Sequence, residues 1–113
     1  PYPDMQELLI AADILITDYS GTPSEIAIMG KQVYIYAPDL AEYQALRGLR
    51  KDFFTSPYRI NETNEALLEL VEQYSPETAA EQARAFMEYT GGVDKGVASK
   101  CVVDRLVEVI GKC

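Results

Sequence analysis

The chain has 113 residues, of which 48% are hydrophobic and 25% charged, with a formal net charge of −8 and no histidine. That is apolar material for one small domain, or part of a larger one, with a charge content ordinary for a globular chain. The acidic balance repels polyanions and argues against nucleic acid as a partner, and the missing histidine removes His-based acid/base catalysis and the usual His/Cys metal centre from this segment.

No run reaches the roughly 18 apolar residues of a spanning helix, and no signal-peptide pattern is present. Cys101 and Cys113 lack a metal-type spacing and read as free thiols in a reducing compartment. The abrupt start, Pro1-Tyr2-Pro3-Asp4 with no initiator methionine, predicts a piece of a longer protein.

In chain order, Asp4 is placed as an N-cap with Glu7 in the capping-box position, predicting a short helix to about Ala12. Residues 13–17 are short and continuously apolar after Asp13, the pattern of a buried strand. From Thr22 to Met29 the pattern is helical, with Pro23 in the first turn and Gly30 as a stop. Gln32 to Tyr36 reads as a second strand, so strand, helix and strand follow within about 24 residues, a parallel βαβ unit. Asp39 to Leu46 predicts a helical turn, and Phe53 to Ile60 an irregular stretch or short edge strand. Residues 61–64 cap a helix reaching about Tyr74, Ser75-Pro76 opens another to about Tyr89, and 91–96 form a loop. Val97 to Ile110 is a closing amphipathic helix. Two strand-turn-helix elements followed by three helices predict the second half of a doubly wound α/β domain, its other strands preceding residue 1.

The junction ILITDYSGTPSEIAIMG (residues 14–30) carries the densest chemistry. At the carboxyl end of a parallel strand, the next helix offers unpaired N–H groups and the positive end of its dipole. Gly21 permits close approach to the backbone, while Ser20, Thr22 and Ser24 add hydroxyls, the features of a phosphate site. The same serine and threonine serve equally as a plain N-cap. Glu25 fits either a ribose contact or a dipole-complementing surface residue, and Asp18 either a ligand contact or a turn. Arg47, Arg50 and Lys51 form a basic cluster that suits a diphosphate or a solvated face. Tyr34, Tyr36, Tyr43 and Tyr58 read as core and rim.

The stretch YPDMQELLIAADILITDYS, then GKQVYIYAPDLAEYQALRGL, and finally GGVDKGVASKCVVDRLVEVI resembles the CDP-glycerol:poly(glycerophosphate) glycerophosphotransferases, the teichoic-acid polymerase family. The likeness covers most of the chain and is strongest over residues 1–48 and 91–110. It implies the C-terminal part of a Rossmann-like GT-B domain, with parallel strands, flanking helices and a helical C-terminal tail. Residues 1–60 would be the strand-turn-helix core and 61–113 the tail of a partial domain that binds the donor nucleotide.

By the same resemblance Asp18, Ser20, Gly21 and Thr22 line the pocket for the CDP diphosphate, with Ser24 and Arg47 beside them. Glu25 lies near the ribose, and Asp94 and Ser99 border the cleft. No catalytic residue, cofactor or metal is implied within the chain. The partners implied are CDP-glycerol or a related nucleotide donor, and a lipid-linked or polymer acceptor reached through the N-terminal half. The whole enzyme is implied to be cytoplasmic and peripheral at the inner face of the cell membrane. An unpaired edge strand adds an expectation of self-association. Two positions depart from the family pattern: Gly21 replaces the second serine of TDYSS, and RGFYFD reads Arg47-Gly48-Leu49-Arg50-Lys51-Asp52 here. Both fall where the donor is held, which leaves open glycerol, ribitol or another activated polyol. A GT-B glycosyltransferase using a UDP- or other nucleotide sugar, and a non-catalytic interaction domain, are the alternative readings.

Overall fold

The computed structural model describes residues 2–93 and 95–112; Asp94 and Cys113, both named above, lie outside them. Ten elements follow one another: α1 (Met5–Ala11), β1 (Ile14–Thr17), α2 (Pro23–Ile28), β2 (Gln32–Tyr36), α3 (Leu40–Arg47), α4 (Lys51–Thr55), β3 (Ile60–Asn61), α5 (Asn64–Glu72), α6 (Pro76–Thr90) and α7 (Ala98–Ile110). The three strands form one parallel sheet in the order β1-β2-β3. The fold is thus α/β and Rossmann-like, with helices between parallel strands and a helical C-terminal region, as the pattern predicts.

Local chemistry explains most boundaries. Asp4 caps α1 by accepting from the N–H groups of Gln6 and Glu7. Glu7 does not complete the reciprocal capping box, because its carboxylate accepts instead from the Tyr2 hydroxyl. Thr63 and Ser75 cap α5 and α6 through Ala66 N–H and Thr78 N–H. Gly91 ends α6 with φ of +70°, a left-handed conformation that glycine adopts without a Cβ penalty.

Two expectations are corrected. Phe53 to Ile60, expected as an irregular stretch or short edge strand, instead begins inside the short helix α4 (Lys51–Thr55), which Gly48 at φ +71° precedes, and only its last residue enters β3. Its apolar pair Phe53-Phe54 is too short for a helical period to be legible. The first strand is not fully buried: Ile16 is 50% exposed, since β1 is the outer strand of the sheet and pairs only with β2.

β2 is the centre of the domain, with Gln32, Val33, Tyr34 and Ile35 all buried. Leu9, Ile26, Ala27, Val33, Ile35, Tyr58, Ala83 and Phe86 make one core, in which α6 packs on both α2 and β2. Side-chain hydrogen bonds fix the strand to its surroundings. Gln32 donates to Gln82 Oε1 of α6 at 2.8 Å, Tyr34 to the Leu70 carbonyl at 2.9 Å, and Tyr36 to Asn64 Oδ1 at 2.6 Å. Asn61 extends the ladder, donating to the Ile35 carbonyl at 3.1 Å and accepting at its own carbonyl from Ala37 N–H at 2.8 Å.

All thirteen residues of α7 are exposed. The Cα radius of gyration is 17.3 Å and the long axis 59 Å, against a radius of about 13 Å for a compact chain of this length. The accessible surface of 8241 Å² likewise exceeds the roughly 6200 Å² of a compact 12.6-kDa monomer. Among the described residues no helix is long and apolar enough to cross a membrane.

Lys31, between α2 and β2, was not singled out in the sequence. Its Nζ donates to the carbonyls of Leu9, Ile10 and Ala12 at 3.4, 2.5 and 2.6 Å. It places a cation at the negative end of α1, which has no basic residue in its last turn. Lys31→Met, which keeps most of the stem, is expected to lower unfolding free energy by about 1–2 kcal/mol. A urea series should show a lower midpoint at unchanged slope; an unchanged midpoint would show that the cap carries no stability.

Candidate functional site

β1 ends at Thr17, and the chain turns through Asp18, Tyr19, Ser20, Gly21 and Thr22 before α2 begins. Thr22 occupies the N-cap position but makes no side-chain cap bond. The local bonds run within the turn: the Ser20 and Thr22 hydroxyls bond each other, and Thr22 N–H donates to Ser20 Oγ at 3.1 Å. Pro23 has no N–H. Ser24 N–H donates to the Gly21 carbonyl at 3.1 Å and Glu25 N–H to the Thr22 carbonyl at 3.0 Å.

These bonds correct the picture of a helix end presenting free donors. The first N–H groups of α2 are already spent on turn carbonyls. The donors left in this turn include the N–H groups of Ser20 and Gly21, for which the described residues offer no acceptor. Gly21 has no positive φ, and a Cβ built on it meets nothing within 4 Å. Glycine here serves open space in front of the backbone, not an unusual conformation.

A cleft of about 560 Å³ opens at this turn. Tyr19, Ser20, Gly21, Pro23 and Ser24 form one wall, and Gly48, Leu49, Arg50, Asp52, Phe53 and Ser56 the facing one. Ile35, Tyr58, Phe86, Tyr89 and Thr90 complete the lining. The site therefore lies beyond the carboxyl ends of parallel strands, where open α/β sheets bind ligands. A second hollow of about 340 Å³ lies alongside, lined by Ile16, Thr17, Asp18 and Tyr36.

Of the residues named from sequence, Ser20, Gly21 and Ser24 line the larger cleft, and Thr22 supports it through Ser20. Asp18 faces the smaller hollow. Glu25 is exposed one turn along α2, Arg47 is exposed at the end of α3, and Ser99 is exposed at the start of α7; none of the three lines either cavity. From the basic cluster it is Arg50 that reaches the cleft, paired with Asp52 at 2.7 Å. Among the described residues no cluster of three His, Cys, Asp or Glu side chains is placed to hold a metal ion.

Of the aromatic lining, the sequence marks Tyr58 as core or rim, which its burial bears out, and gives no role to Tyr19, Phe53, Phe86 or Tyr89. Tyr19 stacks on Tyr43 with ring centroids 3.6 Å apart, donates to Asp39 Oδ1 at 2.7 Å and lies 5.8 Å from Phe53. It thereby ties the serine-glycine turn to α3 and α4. Burial first, then the hydrogen bond and charge of Asp39 with the charge of Asp18, push its phenol well above the usual range. Tyr58 lies against Phe86 with centroids 4.7 Å apart. Its hydroxyl is buried without a partner, and burial pushes it up to about 12. A TDYS motif followed by APD was the one available signal that Tyr19 would meet Asp39.

Comparison with known proteins bears on the same residues. A model of the family described as CDP-Glycerol:Poly(glycerophosphate) glycerophosphotransferase matches residues 1–108. The teichoic acid poly(glycerol phosphate) polymerase of Bacillus spizizenii is 32% identical over 106 residues, covering 92% of this chain and 27% of that protein. The teichoic acid poly(ribitol-phosphate) polymerase of the same organism is 31% identical over 107 residues, covering 92% and 17%. A solved structure of the wall teichoic acid polymerase TagF, soaked with CDPG, superposes with a TM-score of 0.69 at 27% identity. That match covers 98% of this chain and 29% of the TagF chain. The chain thus spans less than a third of the length of these relatives.

The buried Tyr58 phenol sets a pH dependence. An unfolded tyrosine ionises near pH 10, the folded one near 12. A raised folded value means the contribution is whole below pH 10 and is lost as pH rises towards 12. Tyr58→Phe removes an unpartnered buried hydroxyl, so its urea midpoint at pH 7 should equal or exceed that of wild type. Its decline between pH 10 and 12 should also be shallower, with Tyr19 leaving a remainder. A large loss of stability at pH 7 would instead mean that the hydroxyl has a partner.

Proposed function

The chain belongs to the CDP-glycerol:poly(glycerophosphate) glycerophosphotransferase family, and on that premise we propose that it is the donor-binding part of a polyol-phosphate transferase. The enzyme moves glycerol phosphate, or a related polyol phosphate, from its CDP-activated form to a hydroxyl of a teichoic-acid-like acceptor. The acceptor oxygen attacks the β-phosphorus in line, the bond to CMP breaks, and the hydroxyl proton leaves to a base outside this segment, which has no histidine.

The observation that carries this reading is the placement of Ser20, Gly21 and Ser24 on a cleft at the strand ends, within the matched residues. In this proposal the free N–H groups of Ser20 and Gly21 receive the diphosphate, the serine hydroxyls assist, and Arg50 supplies positive charge by turning from Asp52. Thr22 supports the turn from behind. Asp18 and Glu25 are assigned to the ribose side and Arg47 to the rim, while Asp94 and Ser99 keep the donor role that the family's tail motif implies. The hydroxyls of Ser24, Ser56 and Thr90 suit a polyol head, and relatives named for glycerol and for ribitol leave both within range.

Since the chain spans 27% of one relative's length, acceptor binding and acid/base chemistry are assigned to sequence outside these residues, and the isolated chain is expected to bind donor without turnover. The whole enzyme would work at the cytoplasmic face of the membrane as a peripheral protein. The open outer edge of β1 and the apolar side of α7 would favour self-association of the chain alone.

Titration with CDP-glycerol, CDP and UDP, followed by amide shifts, tests the assignment. Shifts centred on residues 18–25 and stronger with CDP than UDP are expected. A UDP preference would move the reading to a nucleotide-sugar transferase, and no binding by a full-length protein would favour an interaction domain. Gly21→Val is expected to stay folded, since a Cβ has room there, and to lose CDP-glycerol binding by at least about tenfold as its branches fill the approach. Normal binding by that variant would refute the phosphate site.

A further inference from the structure

The wall facing the serine-glycine turn is weakly built for its position. α4 has five residues, none buried, and no side-chain N-cap bond. A helix of that length cannot hold itself in water, so its position depends on what anchors it. At its start Gly48 has φ +71°, so the peptide there enters the wall through a flexible residue. Yet α4 and its flanks present Arg50, Asp52, Phe53 and Ser56 to the cleft.

One anchor is already described: Phe53 beside Tyr19. The other comes from the end of α6. Tyr89 donates its hydroxyl proton to the Asp52 main-chain carbonyl at 2.9 Å, and the same oxygen bonds the Thr55 hydroxyl. With Thr55 as donor, one phenol oxygen gives and receives a bond, gripping the first and last turns of α4 at once. Tyr89 is 41% exposed and stands outside the core cluster, so packing does not account for it. Phenylalanine would fill the same volume.

We propose that Tyr89 is a positioning residue for the donor site: its hydroxyl holds α4 against α6 and so sets Arg50 and Asp52 opposite Ser20 and Gly21. This deepens the donor-binding reading and rests on it for the identity of the ligand. In the free chain the Arg50–Asp52 pair is bidentate, with Nη2–Oδ2 at 2.7 Å and Nε–Oδ1 at 3.1 Å, so both groups move with α4 until a ligand draws Arg50 away. Without the Tyr89 hydroxyl, α4 loses its hydrogen-bonded anchor, keeps the packing of Phe53 and samples other positions, and the ligand must bear the cost of ordering it.

The test uses the whole 113-residue chain as wild type, Tyr89→Phe, Thr55→Val and the double variant. Hydrogen exchange in the free proteins is read at the α4 amides, and CDP-glycerol affinity by titration. In Tyr89→Phe, α4 exchange should quicken by about tenfold and the dissociation constant rise about three- to tenfold, with the urea midpoint nearly unchanged. The double variant should bind no worse than Tyr89→Phe, because Thr55 acts through the same oxygen. Unaltered α4 exchange in Tyr89→Phe overturns the proposal whether or not ligand binds, as does faster exchange with unaltered affinity. If wild type fails to bind CDP-glycerol, the donor reading fails for this chain. The positioning of α4 by Tyr89 is then supported by quickened exchange and overturned by its absence.

Discussion

The seating of α6 on α2 and β2 is the contact on which the rest of the domain depends. Ala27 on α2 and Ala79 and Ala83 on α6 are all buried, and such small side chains let two helices approach closely over a strand. Phe86, one turn beyond Ala83, closes the core against Tyr58. Because α6 is long, its last turn overshoots the core and delivers Tyr89 and Thr90 to the far side of the cleft. A helix placed for packing thus also closes the site, and the strand end alone would be an open ledge.

Within that frame the cleft has two chemically different sides. The β1–α2 turn contributes backbone donors and small hydroxyls, and the segment from Gly48 to Ser56 contributes an ion pair and an aromatic ring. Tyr19 belongs to both, since it sits in the turn, stacks on Tyr43 and touches Phe53. Its hydroxyl on Asp39 fixes the orientation in which the turn meets the facing wall. The apolar floor of Ile35, Tyr58 and Phe86 lowers the local dielectric, which strengthens every polar contact made above it.

The parallel βαβ unit was legible because its cues are local: a short apolar run, a serine-rich turn with proline at the helix start, and a β-branched, aromatic second strand. The helix caps at Asp4, Thr63 and Ser75 were legible for the same reason, as was the serine-glycine turn between β1 and α2. What could not be read was set by distant partners. Lys31 looks like any surface lysine until α1 is folded back above it. Arg47 and Arg50 differ only in that a positive-φ glycine lies between them and turns Arg50 towards the cleft. α4 has no period to display in five residues, and the Tyr89 bond spans 34 positions to Thr55. Burial of β1 was overestimated because composition reports a strand's apolarity but not how many neighbours it has.

The separation of α7 from the core has a thermodynamic consequence. Its helix is supported by local bonds and by the surface pairs Lys100–Asp104, Arg105–Glu108 and Lys112–Glu108, which solvent screens heavily. Thirteen residues stand near the length at which an isolated helix is marginal in water. The sheet and its covering helices unfold together, whereas α7 loses helicity gradually and at lower temperature. The chain by itself is therefore two-state only in its core, whose urea midpoint the tyrosines report, and α7 melts outside that transition. Its far-ultraviolet signal and its tyrosine signal report different transitions, so a single melting temperature does not describe it.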